Sequence, residues 1–142
     1  MVRALNSIYR HKGIRYDINV PNLDFLIDRQ DGLELLGNLL DNASKWAKQT
    51  VRLIIHYEGQ KLSILVEDDG PGCPEQELKL LSSPGMWLNE KNQGHGLGLS
   101  LIRNIAKLYS GTVIFGRSEL LGGFSADIVL KCYRASTSQK TR

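Results

Sequence analysis

Gly94-His95-Gly96-Leu97-Gly98-Leu99-Ser100 runs on as Leu101-Ile102-Arg103-Asn104-Ile105-Ala106, a glycine-rich loop passing into a helix. Glycines at alternate positions leave a backbone without Cβ atoms, open to close approach. Leu97, Leu101, Ile105 and Leu108 recur at helical spacing, with Ile102, Ala106 and Tyr109 beside them. A glycine loop opening a helix exposes unpaired N–H groups at the positive end of the dipole, a site for phosphate. Taken singly, loop glycines more often only permit tight turns. The stretch gains its meaning from two others, at Asn38/Asn42 and Asp68–Gly72.

Working outward, the helix ends near Gly111, a suitable residue just past a helix terminus. Thr112–Phe115 and Ser125–Lys131 read as two closing strands joined through Gly122-Gly123. Upstream, Ser82–Gln93 has no period and holds Pro84 and Gly85, the pattern of a functional or mobile loop. Pro74 suits the first turn of a short helix reaching about Leu81. Val51, Leu53, Ile55 and Tyr57 alternate, Glu58-Gly59-Gln60-Lys61 turns, and Leu62, Ile64 and Val66 alternate back. That pattern predicts a β-hairpin.

A helix over roughly Gly32–Lys48 comes before the hairpin, capped by Asp28 or Asp31. Leu35, Leu36, Leu39, Leu40, Ala43 and Ala47 give it a broad core face. Tyr16, Ile18 and Val20 alternate up to Pro21 as a strand, and Leu23–Ile27 is a second short apolar run read as another. Residues 1–13 read as a short helix or linker with Leu5, Ile8 and Tyr9 as an apolar stripe. The order of elements predicts an α+β fold: a two-layer sandwich of a mixed, mostly antiparallel sheet with helices on one face.

The 142 residues suffice for one domain with a real core, and 42% apolar with 23% charged residues is ordinary for a soluble globular chain. No apolar run reaches membrane-spanning length, and no signal-peptide core opens the sequence. The net charge of +3 is spread over scattered basic residues and gives nucleic-acid binding no support. Cys73 and Cys132 form no CxxC pair and no metal-spaced set with His11, His56 or His95. Two thiols suit a reducing cytosol. The polar tail Ala135–Arg142 is expected to be disordered.

Glu34, Asn38 and Asn42 stand at successive i+4 steps on the first helix, with Lys45 a turn further along the same stripe. Carboxamides stacked this way present hard oxygens to Mg²⁺, which keeps waters and borrows phosphate oxygens. The ordinary alternative is a solvated polar face. Asp68 ends an apolar strand and meets Gly70 and Gly72. A carboxylate accepts hydrogen bonds only, so it can recognise an exocyclic amine such as the N6 of adenine. Its ordinary alternative is an Asx-turn, and Asp69 is assigned to that role.

Together the three stretches resemble the catalytic and ATP-binding domain of sensor histidine kinases, in the superfamily shared with gyrase, Hsp90 and MutL, and most nearly its PhoQ-like group. Glu34-Leu-Leu-Gly-Asn38-Leu-Leu-Asp-Asn42-Ala-Ser-Lys45 is similar to the N box of that family. Val66-Glu-Asp68-Asp-Gly70-Pro-Gly72 resembles its first glycine box, and Gly94-His-Gly96-Leu-Gly98-Leu its second. The resemblance implies the Bergerat ATP-binding fold over residues 14–134, with 1–13 as a linker from a phosphoacceptor domain and 135–142 as a tail. It implies ATP and Mg²⁺ as ligands. Asn42 would hold the metal, Asn38 would support the phosphate end and Lys45 would touch phosphate.

Trp46 stands where the family has an aromatic against adenine, although a tryptophan here can equally be core. Asp68 would hold adenine, Gly70, Gly72 and Cys73 would shape the loop, and Ser82–Gln93 would be the lid. Gly94, His95, Gly96, Leu97, Gly98 and Leu99 would line the triphosphate. Related ATPases that hydrolyse ATP carry a glutamate where Asn38 stands; a carboxamide is no base, which suits phosphoryl transfer over hydrolysis.

Four positions depart from the family pattern. Lys91 and Asn92 stand in place of a lid arginine, and no phenylalanine box is evident in Leu78–Met86. Cys73 replaces an aliphatic residue, and Phe124 a threonine. None of His11, His56 and His95 has the context of a phosphoacceptor. The resemblance thus implies a cytosolic, monomeric ATP-binding part of a membrane-anchored sensor, whose partners are a separate phosphoacceptor domain and a response regulator. Alternatives are an anti-sigma-factor-type serine kinase and a catalytically inactive ATP-sensing or protein-docking module. A Rossmann site is disfavoured by the glycine register, and a Walker site lacks its Gly-Lys-Ser/Thr.

Overall fold

Among the described residues, alternating apolar positions build a five-stranded sheet, and two amphipathic helices cover one of its faces. The computed structural model describes residues 7, 9–20, 27–74, 76, 78 and 96–132. A 3₁₀ turn at Arg10–Lys12 leads into β1 (Arg15–Asn19), then α1 (Arg29–Trp46), β2 (Thr50–Glu58) and β3 (Lys61–Asp68). After them come α2 (Gly96–Leu108), β4 (Thr112–Arg117) and β5 (Phe124–Lys131). The strand order is β1-β2-β3-β5-β4, with β1 parallel to β2 and every other pair antiparallel. A parallel neighbour needs a crossover, and α1 is the crossover between β1 and β2. The expected α+β sandwich with a mixed, mostly antiparallel sheet is what forms.

The hairpin is in register Leu53↔Val66 and Ile55↔Ile64, and β5 continues it with Val66↔Ala126 and Ile64↔Ile128. Period-2 alternation therefore puts one apolar set on the helix side. Val51, Leu53, Ile55, Leu62, Ile64, Val66, Ala126, Ile128 and Leu130 are all buried there. The α1 residues expected in the core do pack into it: Leu35, Leu39, Leu40, Ala43 and Ala47 are buried and Leu36 is partly so.

Asp28 caps α1, its carboxylate accepting from the N–H groups of Gln30 (2.9 Å) and Asp31 (3.2 Å). The helix accordingly begins at Arg29, three residues before the expected Gly32. It stops at Trp46, because Ala47 turns extended. For α2 the buried set is Leu99, Ile102, Ile105 and Ala106, whereas Leu101 (36% exposed) and Leu108 (70% exposed) face outward. The stripe through Leu101 and Leu108 is thus the wrong edge of the apolar face.

Past the end of α2, the left-handed residue is Ser110 (φ 53°), not Gly111. Gly111 is there for space: a Cβ on it would fall on the Val129 carbonyl oxygen. Leu23–Leu26, most of the helix expected at Pro74–Leu81, the lid Ser82–Gln93 and the tail 135–142 lie outside the described residues, as do Leu5 and Ile8. Ile27 is described and is a bend, not a strand.

Candidate functional site

The alternation of β3 carries the chemistry to the end of the strand. Leu62, Ile64, Val66 and Asp68 share the helix side, so the carboxylate of Asp68 enters the core and is only 1% exposed. Its Oδ1 accepts hydrogen bonds from the N–H of Gly70 (2.8 Å) and of Phe124 (3.3 Å). Among the described residues both bonds land on Oδ1, which leaves Oδ2 as an acceptor for a ligand. Burial pushes the Asp68 pKa up and the Asp69 charge adds to the rise, while the two N–H donors and the Lys12 ammonium oppose it.

Two glycines let the backbone close around this carboxylate. A Cβ on Gly70 would fall on the Trp46 carbonyl oxygen, so the loop after β3 rests against the last residue of α1. A Cβ on Gly123 would collide with the Asp68 carbonyl and with its Oδ1. The next carboxylate fixes the same junction from outside. Asp69 Oδ1 accepts from the N–H groups of Lys48 (2.8 Å), Gln49 (3.0 Å) and Thr50 (3.1 Å). Partial burial works against ionisation here, but those donors outweigh it and hold the Asp69 pKa below the usual carboxylate value. Asp69 is more than a local turn residue: it pins the α1–β2 connection to the end of β3.

On α1, Asn38 and Asn42 are half-buried and Lys45 is exposed. Asn38 donates from Nδ2 to the Glu34 carbonyl (2.7 Å), which commits its amide nitrogen to the helix backbone. Glu34 takes a hydrogen bond from Gln30 Nε2 (3.1 Å) one turn earlier. Lys45 Nζ lies 5.7 Å from the centroid of the Trp46 ring, and that ring is half-buried. Asp68, Gly70, Lys45 and Trp46 therefore meet at one junction, with Asn42 and Asn38 on successive turns leading away from it.

Helix α2 packs beside α1 and is tied to its start. The Tyr109 hydroxyl accepts from the Asp28 N–H (2.8 Å) and donates to Asp31 Oδ2 (2.8 Å). Gly96 and Gly98 lie in the first turn of α2. Leu99 is fully buried, so only its backbone is available to a ligand, and Cys73 is likewise a core residue. Gly72 adopts a left-handed φ of 79° in the loop. Phe124, where the family pattern has threonine, stacks its ring on Phe115 at 5.5 Å and contributes only its N–H to Asp68. Lys91, Gly94 and His95 lie outside the described residues.

Residues 28–134 match the family of histidine kinase-, DNA gyrase B- and HSP90-like ATPases. The chain belongs to this family. As a member of these ATPases it is 33% identical over 130 residues to the sensor protein PhoQ of Escherichia coli O157:H7. It is 35% identical over 130 residues to the virulence sensor histidine kinase PhoQ of Salmonella typhimurium. Each alignment covers 91% of this chain and 26% of the relative, so the chain spans about a quarter of the length of the curated relatives it matches. The mycobacterial sensor histidine kinase MprB shares the fold, with a TM-score of 0.70 at 23% identity, covering 94% of this chain and 92% of that one. The resemblance drawn from the N box and the two glycine boxes is thereby borne out at the level of family and fold. Among the described residues, no helix is long and apolar enough to cross a membrane.

Proposed function

We propose that this ATPase-family chain binds MgATP and transfers the γ-phosphoryl group to a histidine on a separate dimerisation and phosphoacceptor domain, for relay to a response regulator. The observation that carries the reading is Asp68. It is a buried carboxylate that, among the described residues, has two backbone donors on one oxygen and none on the other, in a loop where Gly70 rests against the end of α1 and Gly123 against Asp68 itself. An exocyclic amine such as that of adenine is the partner such a group selects. Trp46 would stack on the base, and Lys45 beside it would meet the phosphates.

The amide oxygens of Asn38 and Asn42 are neutral and hard. They suit Mg²⁺ that arrives already paired with phosphate, with Asn42 as its ligand and Asn38 at the phosphate end. In this reading α2, which packs beside α1 and is tied to its start through Tyr109, would present its Gly96–Gly98 end to the phosphates. The Gly94-His95 approach to it and Lys91 would complete the phosphate side.

Asn38 cannot take a proton from water, and the nearest carboxylate below it on the stripe, Glu34, is held by Gln30. This supports transfer to an acceptor brought by a partner. The bond between the γ-phosphorus and the β–γ bridging oxygen breaks, a P–N bond to an imidazole forms, and ADP leaves. In this reading residues 14–134 are the nucleotide domain, residues 1–13 lead in from the phosphoacceptor domain, and the isolated domain is a monomer that works in the cytosol as part of a membrane-anchored sensor.

The test is phosphoryl transfer from γ-labelled ATP to a separately supplied phosphoacceptor domain of a PhoQ-type kinase. Acid-labile, base-stable label on that domain is the expected result. Label on serine of a small protein substrate would favour the anti-sigma-factor-type kinase. Nucleotide binding with no transfer to any acceptor would favour the sensing or docking module.

A further inference from the structure

Three side chains from the leading segment and β1 grip one turn of α1. The Tyr9 hydroxyl donates to Asp41 Oδ1 (2.9 Å), and the Tyr16 hydroxyl shares a hydrogen bond with Ser44 Oγ (2.7 Å). Between them, Lys12 Nζ donates to the carbonyls of Ser44 (3.0 Å) and Lys45 (2.7 Å). Those carbonyls belong to the last turn of α1, where no further helical N–H is available to them. An ammonium on them also meets the negative end of the helix dipole. Lys12 is itself placed by the 3₁₀ turn, its N–H bonding the Tyr9 carbonyl (2.9 Å), and its Nζ lies 5.8 Å from the centroid of the Tyr9 ring.

The gripped turn, Asp41–Lys45, contains Asn42 and Lys45 and leads directly into Trp46. The Trp46 carbonyl is in turn the group that Gly70 must clear. A movement of this turn therefore shifts the base-facing ring and the phosphate-facing lysine together. Lys12 commits two of its three donors to backbone oxygens of this turn, and its charge also acts on Asp68.

We propose that Lys12 is a positioning residue of the nucleotide site. By capping the Ser44 and Lys45 carbonyls it fixes the last turn of α1, and so sets the affinity for the base and for the phosphates alike. This rests on the nucleotide-binding reading above.

The test measures, on the full chain, the dissociation constants of a non-hydrolysable ATP analogue with Mg²⁺ by calorimetry and of adenosine by ligand-observed NMR. Wild type, Lys12→Met, Lys12→Gln and Lys12→Arg are compared at a temperature where melting curves show each to be folded; the glutamine variant, with a single donor group, stands in should the methionine one not fold. Lys12→Met is expected to weaken both ligands by about fivefold. Lys12→Arg, whose guanidinium can reach two carbonyls, is expected to recover at least half of that loss. Unchanged dissociation constants with a lowered melting temperature would make Lys12 a helix cap only and overturn the proposal. Weakening of the ATP analogue alone would mean direct contact with phosphate and would overturn it as well. A wild-type chain that binds neither ligand would instead remove the functional reading beneath it.

Discussion

Asp68 and Asp69 are adjacent, yet the fold treats them in opposite ways. Asp69 has a depressed pKa, so its contribution to stability is present above the unfolded carboxylate value and is lost as pH falls through the lower, folded one. Asp69→Ala removes the acceptor for three consecutive N–H groups. It should cost about 1–2 kcal/mol at pH 7, with the partial exposure of the site already discounted, and less at acid pH, as urea unfolding would show. Asp68 has a raised pKa, so the sign reverses: its favourable term is present below the unfolded value and is lost as pH rises through the folded one. An ionised Asp68 is therefore a cost to the unliganded fold at neutral pH. Asp68→Asn keeps an oxygen for Gly70 and Phe124, and should melt at the wild-type temperature or above it at pH 7. Gly123→Ala, by contrast, forces a methyl group onto Asp68 and should destabilise by about 2–3 kcal/mol in thermal or urea unfolding. Neither the Asp69 anchor nor the Gly123 contact is legible locally, because each depends on chain segments far apart in sequence. A doubled Asp-Asp and a doubled Gly-Gly are their only trace.

At the scale of elements, legibility follows periodicity. The hairpin Thr50–Asp68 was readable because one face of each strand is core, so every second residue is apolar. The core face of α1 was readable because its other face is polar. On α2 the apolar residues spread around more of the circumference, and sequence alone does not say which edge of that stripe meets the sheet. Packing answers with Leu99, Ile102, Ile105 and Ala106, and leaves Leu101 and Leu108 outside. The left-handed residue past α2 falls one position before Gly111, because a glycine serves both a left-handed φ and a close approach. Ser110 bears the strain and Gly111 the contact. Ser110→Gly should consequently stabilise the domain by about 1 kcal/mol, seen as a raised melting temperature with unchanged nucleotide binding.

For the whole molecule, the strand order and the α1 crossover bring the loop after β3 against the last turn of α1, where Gly70 meets the Trp46 carbonyl. The family and fold were legible from three short motifs, two of which, Glu34–Lys45 and Val66–Gly72, run into that meeting point. What the motifs did not show is how the meeting point is held: Asp69 from the strand side, Gly123 from the turn before β5, and Lys12 with Tyr9 and Tyr16 from the N-terminal side. Nucleotide recognition by Asp68 is the central claim, and one titration tests it most directly. A non-hydrolysable ATP analogue with Mg²⁺ is added by calorimetry to wild type and to Asp68→Asn, with Asn42→Ala measured in parallel with and without the metal. Saturable binding by wild type is expected, together with its loss in a fully folded Asp68→Asn and loss of the Mg²⁺ dependence in Asn42→Ala. Equal affinity of wild type and folded Asp68→Asn, or no binding by folded wild type, would contradict it.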